Sequence, residues 1–336
     1  MWIKIRDNIL VGAFYLGLIL VTCCSPNTTQ SNETLKKKAV GINDNKWVKN
    51  DSFRYGDIRR YGFDIGYLSP VQLDSIFDIA EQVYPITFPE GVYPIDFNIE
   101  GRSNIALDFK NVTISGKVTI QDANHISLHG KLNILDILFL RNASNIGLDT
   151  VKVLTDKELA LTKMANRGVN VYSGSNNVSI HSLAIIDQIG DGIPFSYAQA
   201  ALLIHGFQGT PTNVRIEDLI VENCGRTGVY ISGRDHVFGK MKIENYGLSE
   251  SKLNIKPIEK ADAGEANEFK GLWLNYTENV KIDSLILVNK ENKGFYSILF
   301  DESLGHVPNI ISNLSIEDSN NYKVDFNSNT LVLNEF

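Results

Sequence analysis

Apolar and polar residues alternate in short runs over most of the chain, and the runs repeat. The segments "NNVSIHSLAIID", "TNVRIEDLIVEN", "DHVFGKMKIEN", "ENVKIDSLILVN" and "PNIISNLSIEDS" align as copies of one unit. Each opens on a polar turn residue, continues through alternating β-branched positions and leaves on Asp or Asn. The turn residues are Asn177, Asn213, His236, Asn279 and Asn309, with fainter copies beginning at Asn104, Asn124 and Asn145. Asn suits such turns because it tolerates left-handed backbone and hydrogen-bonds its own turn. A second strand set precedes these copies: "GVNVYS", "ALLIHG", "GVYISG", "GLWLNY" and "YSILFD". Period-two alternation predicts strands. Short β repeats without a helix in each repeat predict an all-β solenoid, with coils stacked on one another.

Registering the second set predicts which side chains face inward. Leu138 and Leu140, Val169 and Val171, Leu202 and Ile204, Val229 and Ile231, and Leu272 and Leu274 form the inner face. Two outward columns lie between them. One reads Phe139, Asn170, Leu203, Tyr230, Trp273; the other reads Arg141, Tyr172, His205, Ser232, Asn275. Ahead of the repeats, "SPVQLDSIFDIAEQV" predicts a helix over about 70–83. Ser69 serves as N-cap, Pro70 sits at N1, and Leu73, Ile76, Phe77, Ala80 and Val83 share one face. Because the open end of a solenoid needs a cover, this helix is assigned as its cap. The charged stretch 247–269 interrupts the repeat and is assigned as a long loop.

Composition narrows the picture at the N-terminus. Lys4 and Arg6, the short apolar run "ILVGAFYLGLILV" and "TCCSPN" have the layout of a secretory leader over residues 1–24. A small residue followed by Cys resembles a bacterial lipoprotein signal, which implies lipidation at Cys24 (or Cys23) with palmitate-type acylation. Residues 25–45 are rich in Ser, Thr, Asn and Lys and are assigned as a flexible tether, leaving 46–336 as one domain. Removing the leader leaves Cys224 alone in the folded body, so no disulfide framework is expected. A net charge of -7 speaks against a nucleic-acid partner.

The repeats, together with "FPEGVYPI" at 88–95, resemble the right-handed parallel β-helix of the pectate-lyase-like superfamily over roughly residues 85–330. Handedness is an implication of that resemblance. Polygalacturonase-type motifs of this fold are missing, "IHGF" being a fragment of one. Asp187, Asp191, Asp301 and Glu302 are carboxylates assigned to turns rather than to the ladder, which disfavours hydrolysis. The strands carry no convincing acidic cluster for calcium, and no metal or cofactor is expected.

Arg141, Tyr172 and His205 on successive rungs have the types a uronate β-elimination needs. A cation neutralises the carboxylate, a base takes the C5 proton and an acid serves the oxygen leaving C4. Trp273, Tyr230, Asn170 and Asn275 are expected to bind sugar, and Arg226, Arg234 and Lys163 to meet anionic groups. His236, His125, His129 and His181 are expected to be structural. A lipoprotein of this kind resembles the polysaccharide-utilisation equipment of Gram-negative, Bacteroidetes-type bacteria. That resemblance implies a lipid-anchored, monomeric cell-envelope lyase for an anionic polysaccharide or oligosaccharide, ulvan among the candidates. The enzyme either cleaves the glycan or removes water from a terminal uronate as a dehydratase. Alternatives are a non-catalytic glycan-binding surface protein and, less favoured, a glycoside hydrolase.

Overall fold

Alternating apolar positions in this chain become strands that stack instead of pairing locally. The computed structural model describes residues 44–156, 158–161, 167–186, 200–206, 209–248, 270–290, 296–318, 324–326 and 331–335. The leader, with Cys23 and Cys24, and nearly all of the tether lie outside the described residues, as do Lys163, Asp187, Asp191 and residues 249–269 of the long loop.

From Gly91–Tyr93 onward, strands pair in parallel with the next strand but one, which is how a coil returns to its own row. The longer row includes Ser103–Ile114, Asn124–Ile134, Ser144–Leu154, Asn176–Ile186, Thr212–Glu222, Val237–Glu244 and Lys281–Asn289. The shorter row includes Val118–Gln121, Ile137–Arg141, Gly168–Tyr172, Ala200–His205, Thr227–Arg234, Lys270–Glu278 and Tyr296–Phe300. Consecutive strands of the chain therefore alternate between rows, and the result is an all-β, solenoid-like stack of parallel strands. The inner face is as the alternation predicts: Leu138, Leu140, Val169, Val171, Leu202, Ile204, Val229, Ile231, Leu272 and Leu274 are all fully buried. They belong to one continuous apolar core running the length of the stack.

Turn chemistry repeats from coil to coil. Asn145, Asn177 and Asn213 all take left-handed backbone, with φ of 56°, 53° and 52°. Their side chains form a hydrogen-bonded ladder: Asn145 Nδ2 donates to Asn124, Asn177 Nδ2 to Asn145 and Asn213 Nδ2 to Asn177. In three copies the assignment shifts. The left-handed residue is His125 rather than Asn124 and Asp235 rather than His236, while Asn309 is buried and does not take positive φ. Asn, Asp and His all hold left-handed backbone at these turns, so alignment of polar neighbours alone cannot choose between them.

The helix spans Pro70–Ala80, with Ser69 accepting from the Gln72 amide and the Gln72 side chain accepting from the Ser69 amide. It ends three residues before Val83, because the chain then has to reach the strand Ile86–Phe88 through Pro85, which has no amide proton to extend a helix. Phe77 packs edge-on against Phe97 at 5.3 Å, and Phe97 touches Phe88 and Phe109. Arg102 holds the outer side of the helix through Asp74, Asp78 and Glu81. The helix thus lies on the first strands, where the apolar interior would otherwise meet water.

Candidate functional site

The shorter row presents its outward columns in the expected register. Arg141 partners Tyr172, and Tyr172 partners His205. Phe139 partners Asn170, Asn170 partners Leu203, Leu203 partners Tyr230 and Tyr230 partners Trp273. Parallel rungs lie about 4.8 Å apart, so three neighbours in a column reach a single sugar unit.

Aromatic edges bind the columns together. The Phe139 and Tyr172 rings stack at 6.2 Å, and Tyr172 meets His205 at 6.0 Å. His205 meets Tyr230 edge-on at 5.4 Å, and Tyr230 meets Trp273 at 4.9 Å. Arg141 at one end is exposed, whereas Tyr172 and His205 are half-buried. Burial lowers the His205 pKa, so its neutral, basic form prevails at neutral pH. Ser232 Oγ donates to the Ile204 carbonyl at 3.1 Å and lies 3.4 Å from His205 Nδ1. A Ser232 hydroxyl proton directed to Ile204 suits the tautomer in which Nδ1 donates to Ser232 and Nε2 carries the basic lone pair.

Two residues assigned to an exposed binding surface are inside the protein. Tyr230 is only 4% exposed, and Asn275 Nδ2 donates to its hydroxyl at 3.1 Å. Burial pushes that phenol up to about 12, which keeps it neutral. Tyr230 is therefore a wall beside His205 and not an open stacking platform. Arg226 is 1% exposed and donates to the Arg167 carbonyl. Packing of adjacent coils encloses what reads in the sequence as a solvated turn cation. Arg234 is exposed at the end of its strand, beside Glu278 in register.

Trp273 and Asn170 remain on the face. The Trp273 indole donates to Asp301 at 2.6 Å, and Lys270 Nζ sits 4.1 Å from its ring centroid. Asn170 Oδ1 is buried with no hydrogen-bond partner among the described residues. Sequence reasoning missed the bulge next to these groups. Ile231 partners Leu274 but Gly233 partners Thr277, so Asn275 and Tyr276 together oppose Ser232. Tyr276 takes φ of 51° and is exposed. For so bulky a residue this backbone is strained, and its hydroxyl bonds the Glu302 carboxylate. A single inserted residue leaves little trace in an alternation pattern: Trp273 and Thr277 are four apart where their partners Tyr230 and Gly233 are three apart.

The fold and this face define a class: an all-β solenoid carrying an outward row of aromatic and ionisable side chains. No family model matches the chain, and no solved structure matches it. Among curated proteins it is similar to a component of the discoidin-inducing complex of Dictyostelium discoideum, at 27% identity over 202 residues. That match takes in 57% of this chain and 32% of the relative, so the chain spans about a third of that protein's length.

Proposed function

We propose that this protein is a right-handed parallel β-helix lyase that performs β-elimination at a uronic acid of an anionic glycan. The carrying observation is the column Arg141, Tyr172, His205 on three successive rungs. Arg141 holds the uronate carboxylate and offsets the charge that builds as C5 is deprotonated. His205 Nε2 takes the C5 proton, and the electrons of that C–H bond form the C4–C5 double bond. The C4–O bond breaks, and Tyr172 gives its proton to the departing oxygen. Solvent then returns a proton to Tyr172 and removes one from His205. If the departing group is a sugar the glycan is cut; if it is hydroxide, water is lost from a terminal uronate.

The half-buried setting of His205 supports this role, because its depressed pKa supplies the base at neutral pH. Asn170 and Trp273 supply hydrogen bonding and an aromatic surface for neighbouring sugars. An acylated Cys24 (or Cys23) would tether the domain to the cell envelope of a Gram-negative bacterium, within reach of polysaccharide fragments such as those of ulvan. The aromatic row from Phe139 to Trp273 also favours a second reading, in which the face binds glycan without turnover.

His205→Ala separates the two. On a uronate oligosaccharide, turnover should fall by about 100-fold or more while affinity changes little. Unchanged turnover would remove His205 from the chemistry. Binding with no turnover in the wild-type protein would establish the second reading.

A further inference from the structure

The outer side of the longer row carries a column in which acids and imidazoles alternate over five rungs. Asp108 partners His129. Asp149 follows His129, opposite the bulge that separates Leu128 from Lys131. His181 lies opposite Asp149, between the pairs Ile180–Leu148 and Ser182–Thr150, and opposite Glu217 on its other side. These residues are spread from position 108 to position 217, and only the stacking of coils brings them together.

Local geometry holds part of this column in place. Gly130 forms the bulge at φ of 81°, where a Cβ would stand 2.2 Å from the Phe109 carbonyl oxygen. Its amide donates to Asp149 Oδ2 at 3.0 Å, which orients the carboxylate. That same oxygen lies 3.5 Å from His129 Nδ1. Two ligands of one tetrahedral zinc-class ion, each about 2.1 Å from the metal, stand about 3.4 Å apart. The His129–Asp149 separation already matches one edge of such a tetrahedron. His181 Nδ1 is turned to Glu217 Oε2 at 2.5 Å. No three of these donors meet at one point as they stand. However, the side chains of His181 and Glu217 are 63% and 68% exposed, so rotating them costs no packing.

Charge favours a cation here. Lys110 neutralises Asp108 at 2.6 Å, but neither Asp149 nor Glu217 pairs with a lysine or arginine among the described residues. Mixed imidazole and carboxylate donors suit zinc-class ions, whereas calcium and magnesium take oxygen ligands. We propose that His129, Asp149 and His181, with Glu217 beside them, bind one divalent transition-metal ion on the longer row of strands, away from the His205 ladder. This site is independent of the elimination chemistry and assigns a ligand role to two histidines expected to be structural.

The test is calorimetric titration of the metal-free full-length protein with zinc chloride, alongside thermal unfolding with and without zinc. One ion per chain should bind, and zinc should raise the unfolding midpoint. His181→Ala and Asp149→Asn should each weaken zinc by more than about tenfold, since even the loss of an outer-shell partner costs that much. Both side chains are exposed, so the metal-free midpoint of these variants should match the wild type. His205→Ala should leave zinc binding unchanged. Absence of zinc binding, equal binding by wild type and His181→Ala, or binding lost with His205→Ala would each overturn the proposal.

Discussion

Two histidines in the stack, His205 and His236, show how burial assigns a role at the scale of a residue. His205 is half-buried, whereas His236 is fully buried. The Nδ1 of His236 accepts from the Val214 amide and its Nε2 donates to the Ser232 carbonyl, both at 3.1 Å. Both ring nitrogens are used by the backbone, and burial pushes the pKa down to about 4. A histidine held neutral in the fold but able to charge when unfolded leaves stability untouched above about pH 6.5. As pH falls from there towards 4, the unfolded chain takes up the proton first, and stability drops by up to about 3 kcal/mol. His236→Asn should preserve the acceptor, as Asn309 Oδ1 does for the Val280 amide in a later coil. Denaturant midpoints at pH 7 and pH 5 should then differ less in that variant than in the wild type; an equal difference would contradict this account. The structural role of His236 was legible from its position at a turn. What was not legible is burial: Tyr230 and Arg226 read as exposed because their neighbours come from coils distant in sequence, and a one-dimensional pattern does not report them.

At the scale of the element, alternation reported the inward positions correctly wherever one face of a strand is more polar than the other, but Ala200–His205 and Thr227–Arg234 are buried on both faces. Asn at turns was equally readable, since left-handed backbone restricts the choice of residue. Single-residue shifts were not. The bulge at Asn275–Tyr276, and the choice between Asp235 and His236, both depend on where neighbouring rungs place their hydrogen bonds. Gly168 is another such position. It opens the strand that carries Tyr172 at φ of 77°, and a Cβ there would stand 2.1 Å from the Ala201 carbonyl oxygen. Gly168→Ala should therefore destabilise by more than about 1 kcal/mol, from backbone strain and a clash with main chain that cannot swing aside. Urea unfolding measures this directly, and a change below a few tenths of a kcal/mol would mean that the strand start is laxer than described.

At the scale of the whole molecule, stacking turns sequence-distant residues into columns. Arg141, Tyr172 and His205 are far apart along the chain yet lie on adjacent rungs. That column was readable because all three strands share the same apolar alternation. The column of Asp108, His129, Asp149, His181 and Glu217 was not assembled from the sequence, because a bulge at Gly130 shifts the count between its second and third members. Product analysis tests the chemistry of the first column most directly. The purified protein is incubated with a panel of uronate oligosaccharides, and mass spectrometry is paired with ultraviolet absorbance of the unsaturated uronate. The account predicts new absorbance with either fragments that sum to the parent mass or an intact chain lighter by one water. Saturated fragments, or no change on any member of the panel, would contradict it.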